Sequence, residues 1–208
     1  MDLQYFGANS IRLTTKKSVI LVDPSSDIVD FTSEYKKANT VLATRPELAA
    51  GVPDEVFLVS GPGEYEFEDY SIKGIAAQPR TASSGDMTAT MYRVINSEAT
   101  VLFTGHIDSK LSEDQLEAIG VIDVLVVPVG GNGYTLDAVG AASVARALEP
   151  KLVVPVHSSA DKLSYSVPQA DLELFRKELG VPVSEESTDK LKLKAFPEQM
   201  TIQVINKS

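Results

Sequence analysis

The sequence predicts a single domain, residues 1–208, of mixed α/β or α+β class, and three observations carry that reading. Short runs of β-branched and aromatic residues crowd both ends of the chain. Amphipathic helical stretches follow the runs that read as buried strands. No linker or low-complexity tract interrupts the 208 residues. With 43% hydrophobic residues, a chain of this length can bury a sizeable core as one unit.

In chain order, residues 3–6, 10–15 and 18–23 read as an N-terminal antiparallel meander, punctuated by Gly7 and by Lys16-Lys17. The third run contains Val19-Ile20-Leu21-Val22, continuously apolar, as expected of a central strand covered on both faces. It ends in Asp23-Pro24, where Asp23 either caps a turn or approaches a pocket. A polar loop over 25–38 with one short helix around 31–37 follows, then strands at 41–43 and 56–60. The string Ser60-Gly61-Pro62-Gly63-Glu64-Tyr65-Glu66 turns into a strand. It lacks the lysine, spacing and following helix of a phosphate-binding P-loop. Residues 70–76 alternate apolar and polar, as a half-buried strand does. A surface loop spans Gln78-Pro79-Arg80 and Ser83-Ser84-Gly85-Asp86, and strands at 91–95 and 100–104 lead to Gly105-His106.

Ser112-Glu113-Asp114-Gln115 has the form of a capping box and opens a helix that stops at Gly120. Residues 121–129 form a second buried strand, entering the loop Gly130-Gly131-Asn132-Gly133 before a core-packing helix over 136–148. Pro150 ends that helix. Residues 152–156 form a third buried strand that delivers His157 at its end, a last amphipathic helix covers 171–179, and strands at 191–196 and 200–205 close the chain.

Bulk properties narrow the functional classes. A net charge of −10 offers no basic surface to a phosphate backbone, which excludes nucleic acid as the expected partner. The absence of cysteine removes disulfides, thiolate ligands and a cysteine nucleophile together. The opening residues, Met-Asp-Leu-Gln-Tyr-Phe, do not form a secretory signal. No apolar run approaches the ~20 residues of a membrane span. The expectation is a soluble cytoplasmic protein without a membrane partner. A homo-oligomer remains open.

Several strings in order resemble the metallo-β-lactamase-fold hydrolases, in particular their short branch similar to the ascorbate-6-phosphate lactonases. They are Tyr5-Phe6-Gly7 with Asn9-Ser10, Val22-Asp23-Pro24, residues 60–66, residues 123–131 with Tyr134-Thr135-Leu136, and Pro150-Lys151 through Pro155-Val156-His157. The resemblance implies a four-layer αβ/βα sandwich. It also implies a pocket at Asp23, Arg45, Glu47, His106 and His157, on loops where such proteins bind one or two metal ions. Most of the ligands are replaced. Arg45, Glu47 and Ala50 stand where the signature histidines would be, Ala8 holds another histidine place, and Gln78-Pro79-Arg80 follows the strand that usually precedes a further one. His106 takes the place of a bridging aspartate, and only His157 matches a ligand position unchanged.

A hydrolytic zinc needs about three protein ligands and an open position for water. Arg45 instead brings a guanidinium that does not deprotonate, with Glu47 as its natural partner. The reading is therefore a degenerate homologue without a metal cofactor, non-catalytic or binding a partner or a small anion. That anion would be held by Arg45 and the Gly130, Gly131, Asn132, Gly133 loop; the loop reads first as a tight turn between strand and helix, and second as such a site. The alternative is a hydrolase with a rebuilt site, acting on a small ester, lactone or phosphorylated metabolite. Either Glu47, His106 and His157 would hold one Zn, Mn or Fe ion, or His106 or His157 would act as a metal-free general base.

Overall fold

The computed structural model describes residues 1–25, 31–81, 85–159, 163–185 and 189–208. The first sheet contains β1 (Asp2–Gly7), β2 (Ser10–Thr14), β3 (Val19–Val22), β4 (Thr40–Leu42), β5 (Phe57–Val59) and the late strand β13 (Lys190–Lys192), in the order β13-β1-β2-β3-β4-β5. The second contains β6 (Gly63–Glu66), β7 (Ser71–Ala77), β8 (Ala89–Ile95), β9 (Thr100–Phe103), β10 (Val124–Pro128), β11 (Leu152–Val156), β12 (Val183–Glu185) and β14 (Thr201–Val204), in the order β12-β14-β11-β10-β9-β8-β7-β6. The predicted meander is antiparallel, whereas β3, β4 and β5 run parallel, as do β9, β10, β11 and β14.

The continuous apolar runs have the predicted cause. In β10, Val124 and Val126 face the space between the sheets, while Leu125 and Val127 pack outward against helices. In β3, Ile20 and Val22 point inward and Leu21 outward. Outside the second sheet lie α2 (Glu113–Ile119), α3 (Ala138–Leu148) and α4 (Leu172–Leu179), burying Ile119, Val144 and Phe175 in that outer core. Among the described residues the first sheet has a thinner cover: the one-turn helix α1 (Thr32–Tyr35) and the Phe31, Leu21, Val41, Val56 and Phe6 cluster. The architecture is the four-layer αβ/βα sandwich, with unequal outer layers.

Boundaries shift for identifiable reasons. The 136–148 helix begins at Ala138 because Asp137 is its N-cap, its side chain accepting from the Gly140 N–H. The strand predicted from residue 121 begins at Val124, since Val121 is 85% exposed. β12 escaped the reading because all three of its residues are exposed. Pro46–Ala49, read as loop, is a 3₁₀ turn with Pro46 at its first position. The predicted surface strings at Ser83-Ser84 and part of the 25–38 loop lie outside the described residues. No helix among the described residues is long and apolar enough to cross a membrane.

Candidate functional site

The parallel strands of both sheets release their C-terminal ends toward one side, where open α/β architectures place their sites. Asp23 follows β3, Thr44 and Arg45 follow β4, His106 follows β9, and His157 follows β11. A cleft of about 360 Å³ opens there, with Asn9, Asp23, Leu48, His106, Tyr134 and His157 among its lining. Three lining residues hold left-handed backbone although none is glycine: Ala8 (φ 48°), Asp23 (φ 44°) and His157 (φ 57°). Each such conformation costs on the order of 1–3 kcal/mol and persists only where surrounding contacts dictate it.

Those contacts are present. The Tyr5 hydroxyl donates to the Ala8 carbonyl at 3.2 Å and accepts the His157 N–H at 3.1 Å, tying β1 to the end of β11. The Ser10 hydroxyl donates to the Asp23 carbonyl at 2.7 Å. Both carboxylate oxygens of Asp23 are engaged by Thr44, one by its N–H at 2.7 Å and one by its hydroxyl at 2.6 Å. Gly105, at φ 62°, lies so close to Thr44 that a Cβ there would overlap its side chain. Burial pushes the Asp23 carboxyl up to about 6, against the downward pull of hydrogen bonds from Thr44 and Asn9 and the nearby Arg45 charge.

The two histidines meet across the cleft, with ring centroids 5.4 Å apart. Their hydrogen bonds set opposite tautomers. Asn9 Nδ2 donates to Asp23 and lies 3.1 Å from His106 Nδ1, so Nδ1 is the acceptor and the His106 proton sits on Nε2. That Nε2 is buried and meets no acceptor among the described residues. Gln169 donates through Nε2 to the Val167 carbonyl, which turns its Oε1 to His157 Nδ1 at 3.0 Å; Nδ1 carries the proton and Nε2 the lone pair. Burial, then the charges of His157 and Arg45, push the His106 imidazole down to about 3, so it is neutral at physiological pH. Tyr134 packs 4.7 Å from His106, and Tyr165 stacks on His157 at 4.6 Å.

Arg45 and Glu47 form an ion pair at 2.5 Å, with Glu47 mostly solvent-exposed. Glu47 does not join His106 and His157, and among the described residues no group of three His, Asp or Glu is placed to hold a metal ion. The donor set does not fit a hydrolytic metal. His106 presents an N–H where a ligand needs a lone pair, and the Asp23 oxygens are taken by Thr44. The Gly130–Gly133 loop spends its Gly131 N–H on the Thr135 hydroxyl at 2.7 Å and the Leu136 carbonyl at 3.0 Å. It hands over to α3 through Asp137, and a Cβ on Gly130 would overlap Gln169 Oε1 and the His157 carbonyl. Sequence reasoning missed Asn9, Gln169, Tyr134 and Tyr165 as site residues. Asn9 and Tyr134 stand in strings that carry the family resemblance, whereas nothing local marks Gln169.

Fold and cleft together define the class: a two-sheet αβ/βα sandwich with its site at the C-terminal strand ends. The chain belongs to the β-lactamase superfamily domain family, whose sequence model matches residues 2–157. It is 27% identical over 150 residues to a UPF0173 metal-dependent hydrolase from Hyperthermus butylicus, covering 71% of this chain and 60% of that protein. A second such protein, from Thermoplasma acidophilum, is 27% identical over 126 residues, covering 59% and 53%. These matches thus span less than two thirds of each relative's length. Among solved structures, one described as a Zn-dependent hydrolase of the metallo-β-lactamase superfamily from Thermotoga maritima superposes with a TM-score of 0.77, at 23% identity and 99% coverage of both chains. A protein from Parabacteroides distasonis, described by analogy as a metal-dependent hydrolase, gives 0.68 at 16% identity, covering 99% of this chain and 93% of that one.

Proposed function

We propose that this protein is a degenerate member of its family that keeps the cleft as a small-ligand site and has replaced the metal centre by hydrogen bonds and an ion pair among its own side chains. The supporting observation is the chain Thr44–Asp23–Asn9–His106, which ends in a buried N–H on His106 Nε2 instead of a metal-ligating lone pair. The Arg45–Glu47 pair stands beside it, with Glu47 held by the guanidinium instead of turned toward His106 and His157 as a ligand. The ligand such a site takes is a small molecule with an acceptor oxygen for that N–H.

Elemental analysis of protein incubated with Zn, Mn or Fe and desalted tests the reading, with less than about a tenth of an ion per chain expected, against about one for a functional centre. A value near one that is lost in His157→Ala would replace this reading by a mononuclear hydrolase.

One observation favours a second reading, a metal-free hydrolase of small esters or lactones. The imidazoles offer a matched pair: His157 Nε2 as proton acceptor and His106 Nε2–H as donor to a carbonyl oxygen. Turnover of an activated ester, abolished in His157→Gln and retained after exhaustive chelation, would establish it.

A further inference from the structure

Building on the ligand-site reading, we infer that the cleft selects an uncharged, planar ligand carrying a carbonyl oxygen, which accepts from His106 Nε2–H while its flat face packs on the Tyr134 and Tyr165 rings. The first observation is the orphaned donor. His106 is 97% buried by the exposure of only 3% that remains, lines the cleft, and has Nδ1 fixed by Asn9, so Nε2–H has no acceptor of its own. A buried N–H without an acceptor costs about 1–3 kcal/mol, which a ligand oxygen would recover.

The second observation is the ring cluster. Tyr134 lies 4.7 Å from His106 and 5.8 Å from His157, and Tyr165 stacks on His157 with planes 23° apart. These rings form a continuous aromatic surface along the cleft, suited to a flat partner. The volume of about 360 Å³ sits at the lower end of small-molecule pockets, which run from about 300 to 1,000 Å³.

The third observation is charge. Among the described residues, Asp23 is the one formally charged residue in the lining, and no lysine or arginine lines the cleft. Arg45 stands near enough to influence Asp23 and His106, but its charge is compensated by Glu47. Among the described residues an anion entering the cleft therefore meets a carboxyl and two imidazoles without a free counter-ion. A cation finds a carboxylate whose oxygens already accept from Thr44. Either ion loses hydration without replacement, and a neutral carbonyl compound loses far less.

Benzamide, benzoate and benzamidinium are planar, nearly isosteric and differ in charge, and their binding to the full chain can be read by nuclear magnetic resonance of the imidazole and tyrosine rings. Benzamide is expected to shift the His106 Nε2–H and Tyr134 signals and to bind at least roughly tenfold more tightly than either ion. His106→Leu should lose about tenfold in benzamide affinity, while His106→Gln, whose side-chain amide nitrogen reaches the place of Nε2, should retain it. The melting transition of each variant shows whether it is folded. Tighter binding of benzoate, weakened by Arg45→Gln, would make this an anion site and overturn the inference while leaving the ligand-site reading standing. Failure of all three probes to move the cleft signals would also overturn it. A stoichiometric metal or ester turnover would instead remove the reading beneath it.

Discussion

At the residue scale, Asp23 and His106 hold opposite charge preferences a few bonds apart, and the pH dependence of stability exposes both. Folded Asp23 takes its proton near pH 6 and unfolded Asp23 near 3.8. Between those values the folded state holds more protons, so Asp23 makes the protein more stable as pH falls from 6 toward 4. His106 acts in the other direction. Its unfolded imidazole protonates near 6.5 and its folded one only near 3, so its contribution is lost as pH falls below 6.5. Each slope is about 1.4 kcal/mol per pH unit, and over pH 6 to 4 the two nearly cancel. In His106→Gln, unfolding free energy from urea titrations should rise on acidification through this window relative to the parent. In Asp23→Asn it should fall. Parallel curves for the two variants would show that neither group is perturbed as described. Little of this was legible in the sequence. Asp23 and His106 were both candidates there, but their burial and the bridge through Asn9 depend on strands 97 residues apart meeting at one edge.

At the element scale, local signals were read correctly where the chain itself supplies the partner. The box at Ser112 is such a case: its hydroxyl accepts from the Gln115 N–H at 3.2 Å, and Gln115 Oε1 accepts from the Ser112 N–H at 2.9 Å. The same logic located α4, capped by Asp171 and ended by Gly180 in left-handed conformation. What the sequence could not show is that Gln115 also donates to the Ala76 carbonyl at 2.7 Å, stitching α2 to β7. Ser112→Ala should therefore cost about 1 kcal/mol, as a lost N-cap does. Gln115→Ala should cost about 2 kcal/mol, because it removes the reciprocal bond and leaves the Ala76 carbonyl short of a partner. Denaturant titration of the two variants compares them directly, and equal losses would mean that the stitch contributes nothing. For the same reason the Gly130–Gly133 loop was ambiguous from sequence: only its closure onto Thr135 and Leu136 shows where the Gly131 N–H goes.

At the scale of the whole molecule, the unequal outer layers divide the stability. β10 is paired on both edges and covered on both faces, by the inter-sheet core on one side and by α2, α3 and α4 on the other. Among the described residues, the outer face of the first sheet rests on Phe31 and four buried side chains around it, and its edge strand β5 exposes Phe57 and Leu58. Opening that thin layer uncovers far less apolar surface than global unfolding, so it belongs to the low-energy end of native fluctuations. Amide hydrogen exchange should accordingly be slowest in β10 and β11 and faster by several powers of ten in α1 and β5. Phe31→Ala and Phe175→Ala both delete a buried ring, each a loss of about 3–5 kcal/mol when it reaches the global equilibrium. Phe175 joins the helices to the larger core, so its removal should lower the unfolding free energy from urea titration by that full amount, shift the midpoint accordingly, and speed exchange throughout the second sheet. Phe31 belongs to the layer that opens first. Its loss should speed exchange in α1, β4 and β5 well before β10 responds, and the midpoint should move less than for Phe175→Ala. Uniform acceleration across both sheets in Phe31→Ala would mean that the thin layer opens only with the entire fold.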